Sequence, residues 1–339
     1  MTTTTPTTPR STRRAATGLS RLPRIPGRVL PVVATFVLFV LLFGVGSVRY
    51  EGFTSGQVFA NLFIDNAFLI VLAVGMTFVI LTGGIDLSVG AVVALSTMVA
   101  AATLRAGLPA PVVILLVLAA GTGLGVVMGL VIHHFEIQPF IVTLAGMFLA
   151  RGLCFVIGVE SISIKDPFFR ALATGTFDVG GGVVITWSVV IALVIVAVAA
   201  WVLHRTRFGR TVYAVGGSES SAALMGLPVG RVKVAVYGIS GLCASIAGLL
   251  FSVYMLSGYG LHAVGMELDA IASVVIGGTL LSGGVGFVLG SLLGVLVLGV
   301  IQTLISFQGT LSSWWTKIAI GTLLLLFIVM QRLFTRRAA

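Results

Sequence analysis

The sequence predicts an all-α, polytopic membrane protein with about ten transmembrane helices, some of them short or broken. Hydrophobic residues make up 58% of the 339 residues and charged residues only 9%. A water-soluble domain of this length could not cover its surface with so few polar groups. The apolar residues form continuous runs of about 20 residues, the length that crosses a bilayer as a helix. Because lipid offers no hydrogen-bond partners to open backbone, and the alternation of barrel strands is not visible, the spans must be helical.

Ten apolar segments follow one another along the chain. They are 29–48, 60–81, 87–104, 110–132, 139–158, 183–203, 232–256, 268–281, 286–305 and 312–331. The third and eighth are short, and glycine-rich stretches at 82–90 and 277–286 adjoin them. Glycine loosens a helix and admits another backbone, so half-spans or broken helices are expected there. If both short segments are re-entrant, the number of full spans is eight.

Basic residues predict the orientation of these spans. They cluster at 10–28, 205–233 and 332–337, beside apolar runs, which indicates positive-inside topology rather than a nucleic-acid surface. Both termini are therefore expected in the cytoplasm, and the polar loop 159–182 and the segment 258–267 are expected on the outer side. Residues 1–28 are rich in Thr, Arg and Pro and are expected to be a disordered basic tail, and 332–339 to be a basic cytoplasmic end. A signal peptide is the competing interpretation of the first run, but no Ala-x-Ala site follows it.

The first glycine-rich stretch carries the most informative motif, Thr82-Gly-Gly-Ile-Asp-Leu-Ser-Val-Gly90. An aspartate at the centre of a membrane helix costs about 3 kcal/mol on translocon scales, so Asp86 favours a pathway or gate. The alternative is an interfacial loop in which Asp86 caps the next helix with help from Ser88. The pattern Gly-Gly-x-x-Leu-Ser-x-Gly recurs at 277–284, through either an internal repeat or coincidence among 43 glycines. The candidate helix breaks are Gly83, Gly84, Gly90, Gly277, Gly278, Gly283 and Gly284.

Polar residues within or beside the predicted spans are candidates for a substrate path. They are Asp65, Asn66, Asp86, Arg151, Glu267, Asp269 and Gln302. Such residues either line a polar path or join helices to one another. Arg151 needs a carboxylate or carbonyl partner, for which Asp86 or Asp65 could serve. Trp314 and Trp315 beside Lys317 are typical of a membrane-interface anchor.

Catalytic and metal-binding constellations are weak in this chain. His133, His134 and Glu136 could bind a metal ion but are more typical of polar anchoring at an interface. Cys154 and Cys243 lie in apolar runs, so we expect packing residues rather than a disulfide or a nucleophile. The sequence lacks the phosphate-binding pattern Gly-x-x-x-x-Gly-Lys-Ser/Thr, so this chain cannot hydrolyse a nucleotide by a P-loop. No metal or cofactor is expected.

The largest predicted cytoplasmic segment, 204–231, contains the sequence of a short helix. Ser218 and Glu219 form a helix start after a Gly-Gly pair, and Gly226 with Pro228 forms the stop. Between them, Ala222, Ala223 and Leu224 favour helix. A short helix framed by arginines could dock a soluble partner or hold the loop to anionic lipid.

Two of these motifs resemble the signatures of ribose-type sugar permeases, the membrane subunits of bacterial ABC importers. They are Thr77-Phe-Val-Ile-Leu-Thr-Gly-Gly-Ile-Asp-Leu-Ser-Val-Gly90 and Asp269-Ala-Ile-Ala-Ser-Val-Val-Ile-Gly-Gly-Thr-Leu-Leu-Ser-Gly-Gly-Val-Gly286. Residues 137–152 and 309–321 are similar to the galactofuranose branch. The resemblance covers about 55–331 and implies a permease domain at 29–331 that translocates galactofuranose, or else ribose, xylose or another family sugar.

The resemblance also implies partners: an ABC ATPase subunit, a second permease, an extracytoplasmic sugar-binding protein and the lipid of the bacterial inner membrane. It implies a coupling helix on the ATPase formed by Gly217, Ser218, Glu219, Ala222, Ala223, Leu224 and Gly226. This chain departs from the usual pattern at Ser218, where relatives carry Asn. No enzymatic step is expected in the permease itself, because ATP hydrolysis belongs to the partner.

The residues alone leave three rivals to an ATP-driven importer. The first is a proton-coupled secondary transporter that uses Asp86, Asp269 or Glu267 as its proton site. The second is a membrane-embedded transferase, which needs a cluster of acidic or histidine residues at one interface. The third is a passive channel, which uptake against a gradient excludes.

Overall fold

The computed structural model describes residues 30–310, 312 and 314–338, with side chains as far as residue 331. The predicted tail, 1–28, and the side chains of the basic end lie outside this part of the chain. The helices are α1 (Leu30–Arg49), α2 (Gly56–Ile64), α3 (Ala67–Leu81), α4 (Val89–Arg105), α5 (Ala110–His134), α6 (Pro139–Ile157), α7 (Pro167–Thr174), α8 (Trp187–Arg205), α9 (Arg207–Gly217), α10 (Glu219–Leu224), α11 (Val229–Met255), α12 (Met266–Ile276), α13 (Val288–Gln308) and α14 (Trp314–Ala338). The short strands are β1 (Ile162–Ser163), β2 (Thr176–Gly180), β3 (Val183–Thr186) and β4 (Ser257–Gly258).

The all-α, polytopic prediction is confirmed, since each predicted apolar segment is helical over most of its described residues. Among the described residues, seven helices are long and apolar enough to cross a membrane. An eighth span is formed if α2 and α3 are counted together, because they are bent by 53° at their break. α4 has only 17 residues and α12 only 11, so the third and eighth segments are the short ones, as predicted.

α3 lies at the centre of the bundle. Every residue of α3 except Phe68 is buried. The helix is apolar on all sides, which is the pattern of a helix enclosed by others. It packs against α11, α8, α12 and α13. Gly75 permits the close approach of α11, because a Cβ at Gly75 would lie 2.7 Å from the Cβ of Cys243.

Glycines at four-residue spacing bring α5 against the other side of α11. A Cβ on Gly121 would lie 2.9 Å from the Gly241 carbonyl oxygen, and one on Gly129 would lie 2.8 Å from the Cα of Val234. Gly125 between them faces α11 as well. Small residues at this spacing allow membrane helices to approach closely. Because α5 and α3 hold α11 between them, its central residues are fixed beside the stretch that joins α3 to α4.

The segment between α6 and α8, predicted to be a polar outer loop, is folded. β2 and β3 pair as an antiparallel hairpin. β1 pairs antiparallel with β4, with Ile162 opposite Gly258. Asp166 begins α7 by accepting a hydrogen bond from the Phe168 amide at 2.9 Å. The β1–β4 pair ties this segment to the chain that leaves α11.

Candidate functional site

The first break between spans, residues 82–88, is here called the first joint. Gly83 has a φ of +79°, a conformation that glycine adopts without strain. Asp86 is fully buried. Its Oδ1 accepts from the Ser88 amide at 3.0 Å and the Ser88 hydroxyl at 2.6 Å, and its Oδ2 accepts from the Ser240 hydroxyl at 2.7 Å. The carboxyl group therefore closes the turn that begins α4 and bonds α11 at the same time.

The first joint lies deep in the bundle. Ser240, which bonds Asp86, is the twelfth of the 27 residues of α11. This burial favours a site inside the bundle over an exposed interfacial loop, and Asp86 and Ser88 form the turn at the start of α4, as the second interpretation predicted. Tyr237 lies one turn before Ser240, and its buried hydroxyl has no hydrogen-bond partner among the described residues. A Cβ on Gly84 would overlap that hydroxyl, so Gly84 is required for the approach.

Residues 256–265, between α11 and α12, form what we call the inward segment. The sequence indicated an exposed outer connection here, but the chain runs back along α4. A Cβ on Gly258 would lie 2.7 Å from the Cβ of Ala101, and one on Gly90 would lie 2.9 Å from the Ala263 carbonyl oxygen. Eleven residues separate Ala101 from Gly90, which is about 16 Å along a helix. Gly90 is the second residue of α4, so it is a contact point for this segment and not a helix break.

Arg151 on α6 holds the inward segment in place. Its guanidinium Nη1 donates to the Gly260 and His262 carbonyl oxygens, both at 2.7 Å. The predicted carbonyl partner is thus correct, and the suggested partners Asp86 and Asp65 are bonded elsewhere. Glu267, in the first turn of α12, has a buried Oε2 with no hydrogen-bond partner among the described residues.

The second joint, residues 277–287, meets the first joint. Gly284 donates its amide to the Leu81 carbonyl oxygen at 2.9 Å, and a Cβ on Gly283 would lie 2.8 Å from the Gly83 nitrogen. Gly278, Gly283 and Gly284 have positive φ. Gly277 is the C-cap of α12, with a φ of −63°, so the helix breaks at this residue. Gly83 and Gly278 both have positive φ directly after a helix, so the two helix ends are alike with the sequence pattern shifted by one residue.

The predicted short cytoplasmic helix is present as α10. Ser218 caps it by accepting a hydrogen bond from the Ser221 amide, and Gly226 follows it with a φ of +76°. Glu219 pairs with Lys233 of α11 at 2.6 Å. Ala222 is buried on the inner side of α10. The helix therefore has a fixed base and leaves its outer side free to meet a partner.

The outer side of α10 is apolar at its end. Leu224 is 89% exposed and Met225 is 68% exposed. Ala223 and Gly217 are exposed beside them. Two large apolar side chains at the tip of a capped helix, outside the spans, provide a contact surface for a partner protein.

α9 reaches from the end of α8 to the second joint. The Tyr213 hydroxyl donates to the Gly286 carbonyl oxygen at 2.8 Å. Burial raises the pKa of Tyr213 to about 12, so the hydroxyl keeps its proton and remains a donor at physiological pH. The His204 ring stacks on Phe287 with centroids 5.8 Å apart. These contacts join α9 and the end of α8 to the second joint.

The remaining candidate path residues lie apart from the two joints. Asp65 lies at the bend between α2 and α3, where Tyr254 donates to it at 3.4 Å. Asn66 is buried and donates to the Leu62 carbonyl oxygen on α2. Asp269 forms an ion pair with Lys317 of α14 at 2.7 Å, which joins two helices. Gln302 is half-buried on α13. The structure does not bring these four residues to the Asp86 site.

The described residues contain no group of three His, Cys, Asp or Glu side chains that could hold a metal ion, so the metal interpretation of His133, His134 and Glu136 has no structural support. His133 packs on Gly230, where a Cβ would overlap the ring. Cys154 and Cys243 are buried free thiols, in agreement with the predicted packing role.

Sequence reasoning missed several residues of this region. Ser240 and Tyr237 sit in an apolar run with no signal that they face Asp86. Tyr213 and Gly216 lie before the predicted short helix, and the Gly-Gly pair indicated only a helix start. The positions of His262 and the inward segment required the three-dimensional structure, because the chain between α11 and α12 has the composition of an outer loop.

Comparison with known proteins places these features among transporter permeases. The family model described as branched-chain amino acid transport system / permease component matches residues 58–328. The chain is 49% identical over 306 residues to the inner membrane ABC transporter permease protein YjfF of Escherichia coli, covering 90% of this chain and 92% of that protein. It is 43% identical over 311 residues to the fructose import permease protein FruG of Bifidobacterium longum, covering 90% and 91%. It is 37% identical over 306 residues to the ribose import permease protein RbsC of Bacillus subtilis, covering 89% and 92%. No solved structure matches the chain.

Proposed function

This chain is a multi-pass membrane protein that belongs to the ABC-transporter permease family described above, and from that premise we propose that it imports a monosaccharide, galactofuranose, in an ATP-driven transporter. Two relatives named as fructose and ribose import permeases support a sugar as the substrate class. Residues 137–152 and 309–321 support galactofuranose, because they resemble that branch most. Ribose, xylose and other family sugars are the alternatives that the uptake experiment below separates.

α10 is the observation that carries the ATP-driven mechanism. The sequence has no P-loop, so the energy of ATP must come from another subunit. α10 is capped by Ser218, braced by the Glu219–Lys233 ion pair and exposed at Leu224 and Met225. This arrangement fits a helix that seats in a cleft of an ATPase subunit. On this proposal, 204–231 and both chain termini lie in the cytoplasm.

A second permease is proposed to cover the face of α6 and the inward segment. Non-helical backbone at membrane depth is tolerated only where protein covers it or where it lines a water-filled cavity. The inward segment runs about 16 Å along α4. Val264 in this segment and Leu268 just after it are exposed, as are Phe148 and Leu149 on α6. Lipid can cover the apolar side chains, but it offers no hydrogen-bond partners to the non-helical backbone. We therefore infer that another permease subunit covers this face, with a polar substrate path between the two subunits.

On this proposal, the substrate path runs between the two permeases, along the inward segment. Arg151 fixes this segment and Glu267 begins the helix that follows it. A sugar delivered by an extracytoplasmic binding protein would enter from the outer end, where β1 and β4 pair. ATP binding and hydrolysis would move α10 and alternate the access of the path. The sugar undergoes no covalent change in this chain.

Sugar uptake in a deletion strain tests the proposal. Cells that lack this chain, and cells with the intact chain restored, are given labelled galactofuranose, ribose, xylose, fructose and galactopyranose. We expect loss of galactofuranose uptake alone, with rescue by the intact chain but not by a chain whose residues 217–226 are scrambled. Selective loss of a different sugar would keep the importer and change its substrate. Unchanged uptake of every sugar, with the partner subunits expressed, would contradict the proposal.

A further inference from the structure

Three segments that are distant in sequence meet through their backbones at one point, which we call the glycine junction (Leu81, Gly216, Gly284). The Gly284 amide donates to the Leu81 carbonyl oxygen at 2.9 Å. A Cβ on Gly216 would overlap that oxygen and would lie 2.5 Å from the Gly284 nitrogen. The end of α9 therefore closes over the hydrogen bond that joins α3 to the second joint. No side chain would fit between the three backbones.

Tyr213 adds a side-chain bond to these backbone contacts. Its hydroxyl donates to the Gly286 carbonyl oxygen at 2.8 Å, two residues beyond Gly284. The His204 ring lies 6.4 Å from the Tyr213 ring and stacks on Phe287. α9 is thus fixed to the second joint by a hydrogen bond and by Gly216, and the stack of His204 on Phe287 fixes the end of α8 to the same joint.

The junction is continuous with the helix that is proposed to meet the ATPase. α9 ends at Gly217, and Ser218 is both the residue after α9 and the N-cap of α10. The Ser218 amide still bonds the Ala214 carbonyl oxygen of α9 at 3.2 Å. A displacement of α10 must therefore move the end of α9, because no flexible linker separates the two helices.

We propose that Tyr213 and Gly216 couple α10 to both joints at once, so that movement of α10 shifts the end of α3 and the second joint together. The inference rests on the proposed function, since it requires an ATPase that moves α10. Backbones in direct contact have no side chains that could absorb a displacement, and packed interiors transmit strain. The first joint, with Asp86, leads into α4, and the second joint follows α12, so both helices beside the inward segment adjoin a joint that responds to this movement. Tyr213 is a positioning residue, because it acts through Gly286 and touches no sugar.

The test compares Tyr213→Phe with Thr211→Val in the complete importer, purified through a tag on this chain and placed in proteoliposomes. Tyr213→Phe removes the bond to the second joint and keeps the ring. Thr211→Val removes a hydroxyl on the same helix whose bond, to the Arg207 carbonyl oxygen at 2.9 Å, stays within α9. The measurements are ATP hydrolysis, uptake of labelled galactofuranose, with labelled ribose in parallel, and recovery of the intact complex.

We expect Tyr213→Phe to lower the sugar transported per ATP about two- to ten-fold, the factor expected for one lost hydrogen bond. ATP hydrolysis and recovery of the complex should stay at the level of Thr211→Val. An unchanged ratio of transport to hydrolysis would overturn the proposal. A parallel fall in transport, hydrolysis and recovery would also overturn it, because the hydroxyl would then serve only stability. If the unaltered importer shows no ATP-driven uptake, the proposed function itself fails.

Gly216→Ala is the second variant, with Gly123→Ala as its control. Both add one methyl group inside a helix, but a Cβ on Gly123 meets no atom within 4 Å. We expect Gly216→Ala to lower uptake more than ten-fold while ATP hydrolysis persists, and Gly123→Ala to behave as the unaltered chain. Normal uptake by an assembled Gly216→Ala importer would overturn the proposal. If Gly216→Ala does not assemble, the result for Tyr213→Phe decides.

Discussion

Replacement of Asp86 separates a structural role for this carboxyl group from a role as a proton carrier. Asp86 is fully buried and accepts three hydrogen bonds, two from Ser88 and one from Ser240. The informative pair of variants is Asp86→Asn and Asp86→Ala. Asn keeps the shape and can still bond both serines, whereas Ala removes every partner.

The magnitudes follow from which groups can find new partners. In Asp86→Ala the two serine hydroxyls can turn to helix carbonyls, but the Ser88 amide cannot turn. One buried donor without a partner costs about 1–3 kcal/mol. In Asp86→Asn the amide oxygen accepts from Ser88 and the amide nitrogen donates to the Ser240 hydroxyl. Exchange of carboxylate bonds for neutral ones costs roughly 1 kcal/mol.

Thermal unfolding of the purified importer measures the structural role of Asp86, and sugar uptake in cells measures its role in transport. We expect Asp86→Ala to lower the unfolding midpoint and the amount of assembled protein, with uptake falling in proportion. Asp86→Asn should retain most of both. A stable Asp86→Asn protein without any uptake would refute this reasoning, because the charge or proton of Asp86 would then be needed for transport. An Asp86→Ala protein as stable as the unaltered chain would show that the hydrogen bonds of Asp86 do not contribute to stability.

Three further variants test other contacts. Arg151→Lys should lower uptake in cells at least several-fold without loss of assembled protein, because an ammonium group does not reproduce the fixed guanidinium geometry between the Gly260 and His262 carbonyls. Unchanged uptake would contradict a role for Arg151 in positioning the inward segment. Gly90→Ala should lower the unfolding midpoint, because a Cβ would overlap Glu267, whereas Gly152→Ala, with no atom within 4 Å, should not; equal midpoints would contradict the contact. Leu224→Asp should reduce co-purification of the ATPase subunit while the permease stays folded, and full retention would contradict docking through α10.

The fold class could be predicted from the sequence because membrane spans are long, continuous runs of apolar residues. Continuous apolar runs must be helical in lipid, so they predicted the helices, including the two short ones. The predicted count of about ten spans is higher than the seven, or at most eight, spans among the described residues that are long and apolar enough to cross a membrane. The short helix α10 was also predictable, since Ser218 and Gly226 mark its ends by local chemistry. The bend between α2 and α3 was not, because no glycine or proline marks it.

The arrangement of the site could not be predicted, because it depends on contacts between distant segments. The partner of Asp86 on α11 is one serine among several in an apolar helix. Arg151 was correctly expected to bond a carbonyl, but which one required the path of the inward segment. The recurring glycine pattern left a repeat or a coincidence open, and it carried no signal that its two copies contact each other.

The central claim is that this chain is the permease subunit of an ATP-driven sugar importer. Proteoliposomes that contain the purified importer and its binding protein test this claim. Uptake of labelled galactofuranose, with labelled ribose in parallel, is measured with ATP and no pH gradient, and then with an imposed pH gradient and no ATP. The account predicts uptake in the first condition only, and its loss when residues 217–226 are scrambled. Uptake driven by the pH gradient without ATP would contradict it.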